Sequence, residues 1–126
     1  MVMVVDDDPV IRMILSTMIK RDRPKLDIIE CENGQDAFSK VSDDIEMIFT
    51  DNNMPILSGI EFLRKLKAEP MYSHIPVVMV SVEGREELKC LGKEIGVAGW
   101  IVKPFDMNQI HEYLKQFLDI GENSRI

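Results

Sequence analysis

Hydrophobic positions in this chain follow two alternating patterns. Short apolar runs occur at Val2–Val5, from Leu26 to Ile29, at Met47–Thr50, from Pro76 to Val80 and at Gly99–Val102. Runs of that length, separated by segments of helical period, predict parallel strands buried on both faces. The run at 76–80 is the most β-rich and is expected to lie centrally, with Pro76 confined to its first position. Between the first two runs, Ile11, Ile14, Leu15 and Met18 fall at i, i+3, i+4 and i+7, one core-facing helical stripe. Asp8 and Pro9 predict that helix's N-cap and first residue. Residues 21–25, with Pro24, predict its end as a turn. Ala37, Phe38 and Val41 mark a second helix, and Phe62, Leu63 and Leu66 a third within 58–68. Leu88, Leu91 and Ile95 mark a fourth, interrupted by Gly92 at a cost of about 1 kcal/mol relative to Ala. Ile110, Tyr113, Leu114 and Phe117 mark the last, and residues 121–126 are expected to form a frayed tail.

Five strand–helix alternations predict an α/β domain with a parallel sheet. Right-handed crossovers with helices on both faces make it doubly wound, and ligands of such sheets bind outside the carboxyl ends of the strands. A chain of 126 residues with no internal repeat or linker is expected to be one domain over 1–120, with the tail beyond it.

Composition narrows the function classes. Hydrophobic residues make up 45% and charged residues 29%, ordinary for a globular protein. Fifteen basic against 22 acidic residues leave a formal net charge of -7, which disfavours a nucleic-acid partner. Cys31 and Cys90 share no metal-ligand or redox spacing and are expected to be buried free thiols in a reducing compartment. Met1–Val5 is too short for a signal peptide and lacks a basic lead-in. No stretch approaches the roughly 20 apolar residues of a membrane span. A cytoplasmic protein without a membrane partner is expected.

The candidate chemistry sits directly behind the apolar runs: Asp6 and Asp7 after the first, Asp51 after the third, Ser81 after the fourth, Lys103 after the fifth. Carboxylates held together must share protons or bind a cation. Mg²⁺ suits a site with few protein oxygens, because it keeps several waters and pairs with phosphate oxygens. Asp8 is assigned to the helix cap. Asp51 reads as a carboxylate nucleophile for phosphoryl transfer, although an Asp-Asn-Asn turn would also explain it. Lys103 can pair with that nucleophile and then with a phosphoryl oxygen, whereas a solvated lysine is the commoner fate of a single Lys. The Ser81 hydroxyl can bond a phosphoryl oxygen or merely cap the next helix. It is the set, not any member, that points to phosphoryl chemistry. His74 and His111 have no serine or cysteine partner suggested by spacing and are expected on the surface.

In this order the residues resemble the receiver domain of two-component response regulators, of the stand-alone chemotaxis (CheY-like) type. The resemblance rests on Val-Val-Asp-Asp at 4–7, Asp-x-x-Met-Pro-x-x-x-Gly at 51–59, Ile-Pro-Val-Val-Met-Val-Ser at 75–81 and Lys-Pro-Phe at 103–105. It implies a flavodoxin-like sheet in the order 2-1-3-4-5, with Asp51 as phosphoacceptor from a histidine kinase, a phosphotransfer protein or a small phosphodonor. It also implies Mg²⁺, or Mn²⁺, at Asp6, Asp7, Asp51 and the Asn53 carbonyl, with Asp6 acting through water. Ser81 and Lys103 would hold phosphoryl oxygens, and the Lys103-Pro104 bond would be cis. Ser81 and Trp100 would form the switch that alters a partner surface running from Arg85 to Ile95, through Gly99–Val102 and from Met107 to Phe117. Asn53 and Glu83, two residues beyond Asp51 and Ser81, would flank the path of attacking water and tune the phosphoryl lifetime.

Three residues depart from the family's pattern. Val82 replaces a small residue, Ser81 a Thr, and Trp100 a smaller aromatic; these bear on the size of the switch rather than on the site. A phosphorelay intermediate or an unphosphorylated docking receiver are alternative uses of the same fold. A flavodoxin-like electron carrier would need a loop that welcomes the flavin phosphate, and the acidic loop after the first strand would repel it. An acid-nucleophile phosphatase would place Asp-x-Asp behind one strand, whereas here the doublet and Asp51 lie behind different strands.

Overall fold

A computed structural model describes the chain from Met1 to Asn123, with side chains to Leu118. The elements are β1 (Val2–Val5), α1 (Pro9–Asp22), β2 (Ile28–Cys31), α2 (Gly34–Lys40), β3 (Met47–Thr50), α3 (Gly59–Ala68), β4 (Val77–Ser81), α4 (Glu86–Ile95), β5 (Gly99–Val102) and α5 (Met107–Asn123). The strands form one parallel sheet in the order β2-β1-β3-β4-β5. That is the α/β, doubly wound arrangement expected. The apolar run at 76–80 becomes an interior strand, but the middle position belongs to β3.

Strand periodicity divides the core into two layers. Met3, Val5, Ile48, Val77 and Met79 face α2, α3 and α4, where Phe62, Leu63 and Leu66 pack against them. Val2, Val4, Met47, Phe49, Val78 and Val80 face the other way, onto Leu15 and Ile19 of α1 and Ile110 and Leu114 of α5. Every residue of β1, β3 and β4 is buried. Each large apolar side chain so enclosed contributes roughly 1.5–3 kcal/mol.

Helix starts follow the local chemistry. Asp8 caps α1, its carboxylate accepting the Val10 amide at 2.9 Å, with Pro9 opening the helix. Asn33 caps α2 by accepting the Asp36 amide at 2.8 Å. Ser58 and Glu61 exchange hydrogen bonds of 3.2 and 3.1 Å in a capping box at α3. Gly96, at φ 117°, closes α4 in the left-handed conformation open to glycine.

Several expectations need correction. The second strand starts at Ile28, not Leu26, because the Leu26 amide is used by a turn onto the Arg23 carbonyl at 3.0 Å. The fourth strand starts after Pro76 and includes Ser81. Ile14 leaves the predicted α1 stripe and is 38% exposed, because Leu15 and Ile19 make the buried contact with α5. Cys31 is buried but Cys90 is exposed on α4. His111 keeps a 44% exposed side chain, and its Nδ1 lies 2.6 Å from an Asp22 carboxylate oxygen, joining α5 to the end of α1. Helix α5 continues to Asn123, three residues into the expected tail, and the rest of that tail lies outside the described residues.

Candidate functional site

The register of β1 against β3 sets Val5 beside Thr50, so the residues that follow, Asp6 and Asp51, leave the sheet side by side. The Asp51 amide donates to the Val5 carbonyl at 2.9 Å, and the Asp6 amide to the Cys31 carbonyl at 3.1 Å. Carboxylate oxygens of Asp6, Asp7 and Asp51 come within 4.8 Å of one another. Asp6 and Asp51 are only 2% and 7% exposed, whereas Asp7 is open to solvent.

Lys103 reaches this cluster from β5. Its amide continues the β4–β5 ladder onto the Ser81 carbonyl at 2.8 Å, and its ammonium lies 3.0 Å from Asp6 and 3.5 Å from Asp51. The Lys103-Pro104 bond is cis. Burial pushes the Asp51 carboxyl above its ordinary value, and the Asp6 charge adds to this; Lys103 and the amides of Asn52 and Asn53 act the other way. Three carboxylates face one ammonium, so the cluster carries excess negative charge that a cation or protons must offset.

The donors fit a hard divalent ion. All are oxygens, and they are few, which matches the preference of Mg²⁺ for sites where it retains water. Both Asp6 oxygens are engaged, one by the Asp8 amide at 2.9 Å and one by Lys103. Asp7 has no side-chain partner among the described residues and is free to ligate. Asn53 is exposed just beyond Asp51, and its amide turns toward the Asp51 carboxylate.

Asn52, which the sequence predicts only as part of a turn, organises the loop that carries Asp51. It is 8% exposed; its side-chain oxygen accepts the Ile60 amide at 3.0 Å and its carbonyl the Gly59 amide at 3.0 Å. Gly59 is required for this closure, since a Cβ there would stand 2.3 Å from the Asp51 carbonyl oxygen. The only available signal was an Asn between a strand end and a glycine-started helix, which many turns share.

Ser81 is fully buried at the end of β4 and accepts the Glu83 amide at 3.1 Å. It does not cap α4, whose N-cap Arg85 makes no side-chain capping bond. The Glu83 carboxylate pairs with Arg85 at 3.1 Å. Trp100, on β5, does not meet the carboxylates; it is half-buried, and its ring lies above Gly92, where a Cβ would come within 3.1 Å. The helix-weakening glycine therefore has a use, to seat the indole. Val82 is 67% exposed and borders an apolar groove of about 390 Å³ lined by Ile11, Ile14, Met18 and the Lys103-Pro104-Phe105 segment. Among the described residues, no helix is long and apolar enough to cross a membrane.

Comparison with known proteins agrees with this geometry. The model of the response regulator receiver domain matches residues 2–115. The chain is 33% identical to a chemotaxis protein CheY homolog of Campylobacter jejuni over 121 residues, covering 94% of this chain and 92% of that protein. It is 31% identical to chemotaxis protein CheY1 of Helicobacter pylori over 122 residues, covering 95% and 98%. Among solved structures, chemotaxis protein CheY4 of Vibrio cholerae superposes with a TM-score of 0.83 at 29% identity, covering 92% of this chain and 96% of that one. With motif, fold and acidic centre in agreement, this chain belongs to the response regulator receiver family and serves two-component signalling as a CheY-like phosphoswitch.

Proposed function

We propose that Asp51 accepts a phosphoryl group from a histidine kinase or phosphotransfer protein, and that the product is a changed binding surface. The observation that carries this reading is the position of Asp51: buried, beside Asp6 and Asp7, with the Lys103 ammonium 3.5 Å away. A carboxylate oxygen of Asp51 attacks phosphorus, the P–N bond of the donor's phosphohistidine breaks, and the imidazole keeps the electron pair. Asp7, Asp51 and the Asn53 carbonyl, with Asp6 through water, would hold Mg²⁺, which when bound would neutralise charge on the phosphoryl oxygens. The phosphoryl group carries about −1.5 to −2 charges while the Asp51 carboxylate gives up its own, so the site gains roughly one negative charge and the acceptor oxygens of the phosphoryl group. Lys103 is placed to exchange its contact with Asp51 for a phosphoryl oxygen, and the Ser81 hydroxyl hydrogen is free to donate because its oxygen already accepts from Glu83.

The output partner engages α4, β5 and α5, from Arg85 to Ile95, at Gly99–Val102 and from Met107 to Phe117, whose connection to the site runs through Ser81, Glu83 and Trp100. Asn53 and Glu83 flank the water path and set the phosphoryl lifetime. The chemotaxis-type names of the relatives favour a cytoplasmic regulator of this kind.

The test is incorporation of ³²P from acetyl phosphate in Mg²⁺, with Trp100 emission followed in parallel. The wild-type chain should label and change emission; Asp51→Asn should do neither. Equal labelling of Asp51→Asn would remove Asp51 from the acceptor role.

A further inference from the structure

We propose that Arg12 is a positioning residue for the acidic centre: braced by Glu30, its guanidinium fixes the Asp6–Asp7 peptide and so sets the affinity for the divalent cation. The inference rests on the cation reading above and assigns a residue that no site motif contains.

Arg12 lies one turn into α1, its amide bonded to the Asp8 carbonyl at 3.0 Å. Helical side chains lean back toward the N-terminus, which brings this one over the β1–α1 turn. There Nη1 donates to the Asp6 carbonyl at 2.6 Å, while Nε donates to Glu30 at 3.2 Å. Glu30 stands beside Val4 in the β2–β1 register, so the brace spans two strands and a helix.

The Asp6 carbonyl belongs to the peptide that leads into Asp7. With it held, every polar atom of Asp6 has a partner: the amide on Cys31, the carbonyl on Arg12, and the two carboxylate oxygens on Asp8 and Lys103. Asp7 has only its backbone to aim it, since its side chain is exposed and unpartnered among the described residues. The direction from which its carboxylate enters the cluster therefore depends on the peptide plane that Arg12 holds. A planar guanidinium can serve the carbonyl and Glu30 at once with fixed geometry; a lysine ammonium is a point donor that cannot reproduce the fork.

Charge and position make opposite forecasts, which renders the idea testable. A cation near a metal centre opposes metal binding, so electrostatics alone would have Arg12→Met tighten Mg²⁺ and Arg12→Lys leave it unchanged. Loss of positioning weakens both. The experiment is calorimetric titration of the full chain with MgCl₂ at fixed ionic strength, after confirming native circular dichroism for each variant. Arg12→Met is expected to weaken Mg²⁺ on the order of tenfold, the usual scale for residues supporting metal ligands, and Arg12→Lys by an intermediate factor. Combining either with Glu30→Gln should be less than additive, since both break one brace. Should Arg12→Met fail to fold, Arg12→Lys decides alone. Unchanged or tighter binding in the folded Arg12 variants, with wild-type binding abolished by Asp7→Asn, would refute the role of Arg12 and leave the cation site standing. A wild-type chain that takes up no Mg²⁺ would overturn both readings together.

Discussion

The indole nitrogen of Trp100 donates a 2.8 Å hydrogen bond to the main-chain carbonyl of Glu83. The amide of that same residue donates to the Ser81 hydroxyl oxygen at 3.1 Å, so the backbone of one residue joins the buried serine of β4 to the aromatic of β5. A hydroxyl both donates and accepts. Ser81 can therefore bond a phosphoryl oxygen without releasing Glu83, and any shift in the serine is passed to the indole along two hydrogen bonds. Ser81→Ala cuts this connection while leaving Asp51, Lys103 and the carboxylates in place. Its expected behaviour is continued ³²P incorporation from acetyl phosphate with most of the Trp100 emission change lost. A full emission response in that variant would show that the indole senses the phosphoryl group by another route.

Asp51 makes the site at a cost in stability. Its carboxyl is held above the ordinary value of 3.8, chiefly by burial, so the folded chain binds this proton more tightly than the unfolded chain does. The favourable contribution is fully present below the ordinary value and is lost as pH rises through the elevated one. Above that window the charge is carried at a penalty. Asp51→Asn should raise stability at pH 7 by about 1 kcal/mol, or roughly 4 °C in Tm. The gain should shrink toward zero as pH falls below the ordinary carboxylate value. Thermal melts of both chains across pH would check the sign.

Ile56 sits in the loop between β3 and α3 at φ 71° with 72% of its surface exposed. A β-branched residue in the left-handed region is strained, at a cost on the order of 1–2 kcal/mol, and here little burial offsets it. Ile56→Asn should raise Tm by a few degrees, since asparagine tolerates that conformation. Phosphorylation of Asp51 should be unaffected in rate if the loop keeps its shape. A fall in Tm would mean that the isoleucine side chain holds the loop.

The two thiols should differ in reactivity. Burial pushes the Cys31 thiol up to about 11, while Cys90 lies exposed on α4. The thiolate is the reactive form, so at pH 8 the native chain should take up one equivalent of an aromatic disulfide reagent rapidly, at Cys90. The second should follow only on unfolding, and Cys90→Ser should abolish the fast phase.

Local signals made much of this fold legible. Val2–Val5 and 47–49 are continuously apolar because both faces of a parallel sheet are covered, and that pattern survives in any single sequence. Asp8 before Pro9, and Phe62, Leu63 and Leu66 at helical spacing, carry their meaning within one or two turns. Where a segment was misplaced, something distant had intervened. Leu26 looks like a strand residue, but a turn onto Arg23 takes its amide, and the edge strand β2 starts only where Val2 can align with Ile28. Ile14 fits the helical stripe, yet α5 packs on Leu15 and Ile19 instead.

The candidate site divides in the same way. The chain itself determined which groups could take part: carboxylates at 6, 7 and 51, a hydroxyl at 81 and an ammonium at 103, each placed directly behind an apolar run. Tertiary structure decided how they meet, because the distance between Lys103 and Asp6 depends on the sheet order β2-β1-β3-β4-β5, which no local pattern encodes. It alone placed Arg12 between Glu30 and the Asp6 carbonyl, and the Glu83 backbone between Ser81 and Trp100. The physical reason is range. Hydrophobic period and capping act over a few residues, whereas hydrogen bonds between strands, turns and helix flanks exist only after the core has fixed their geometry.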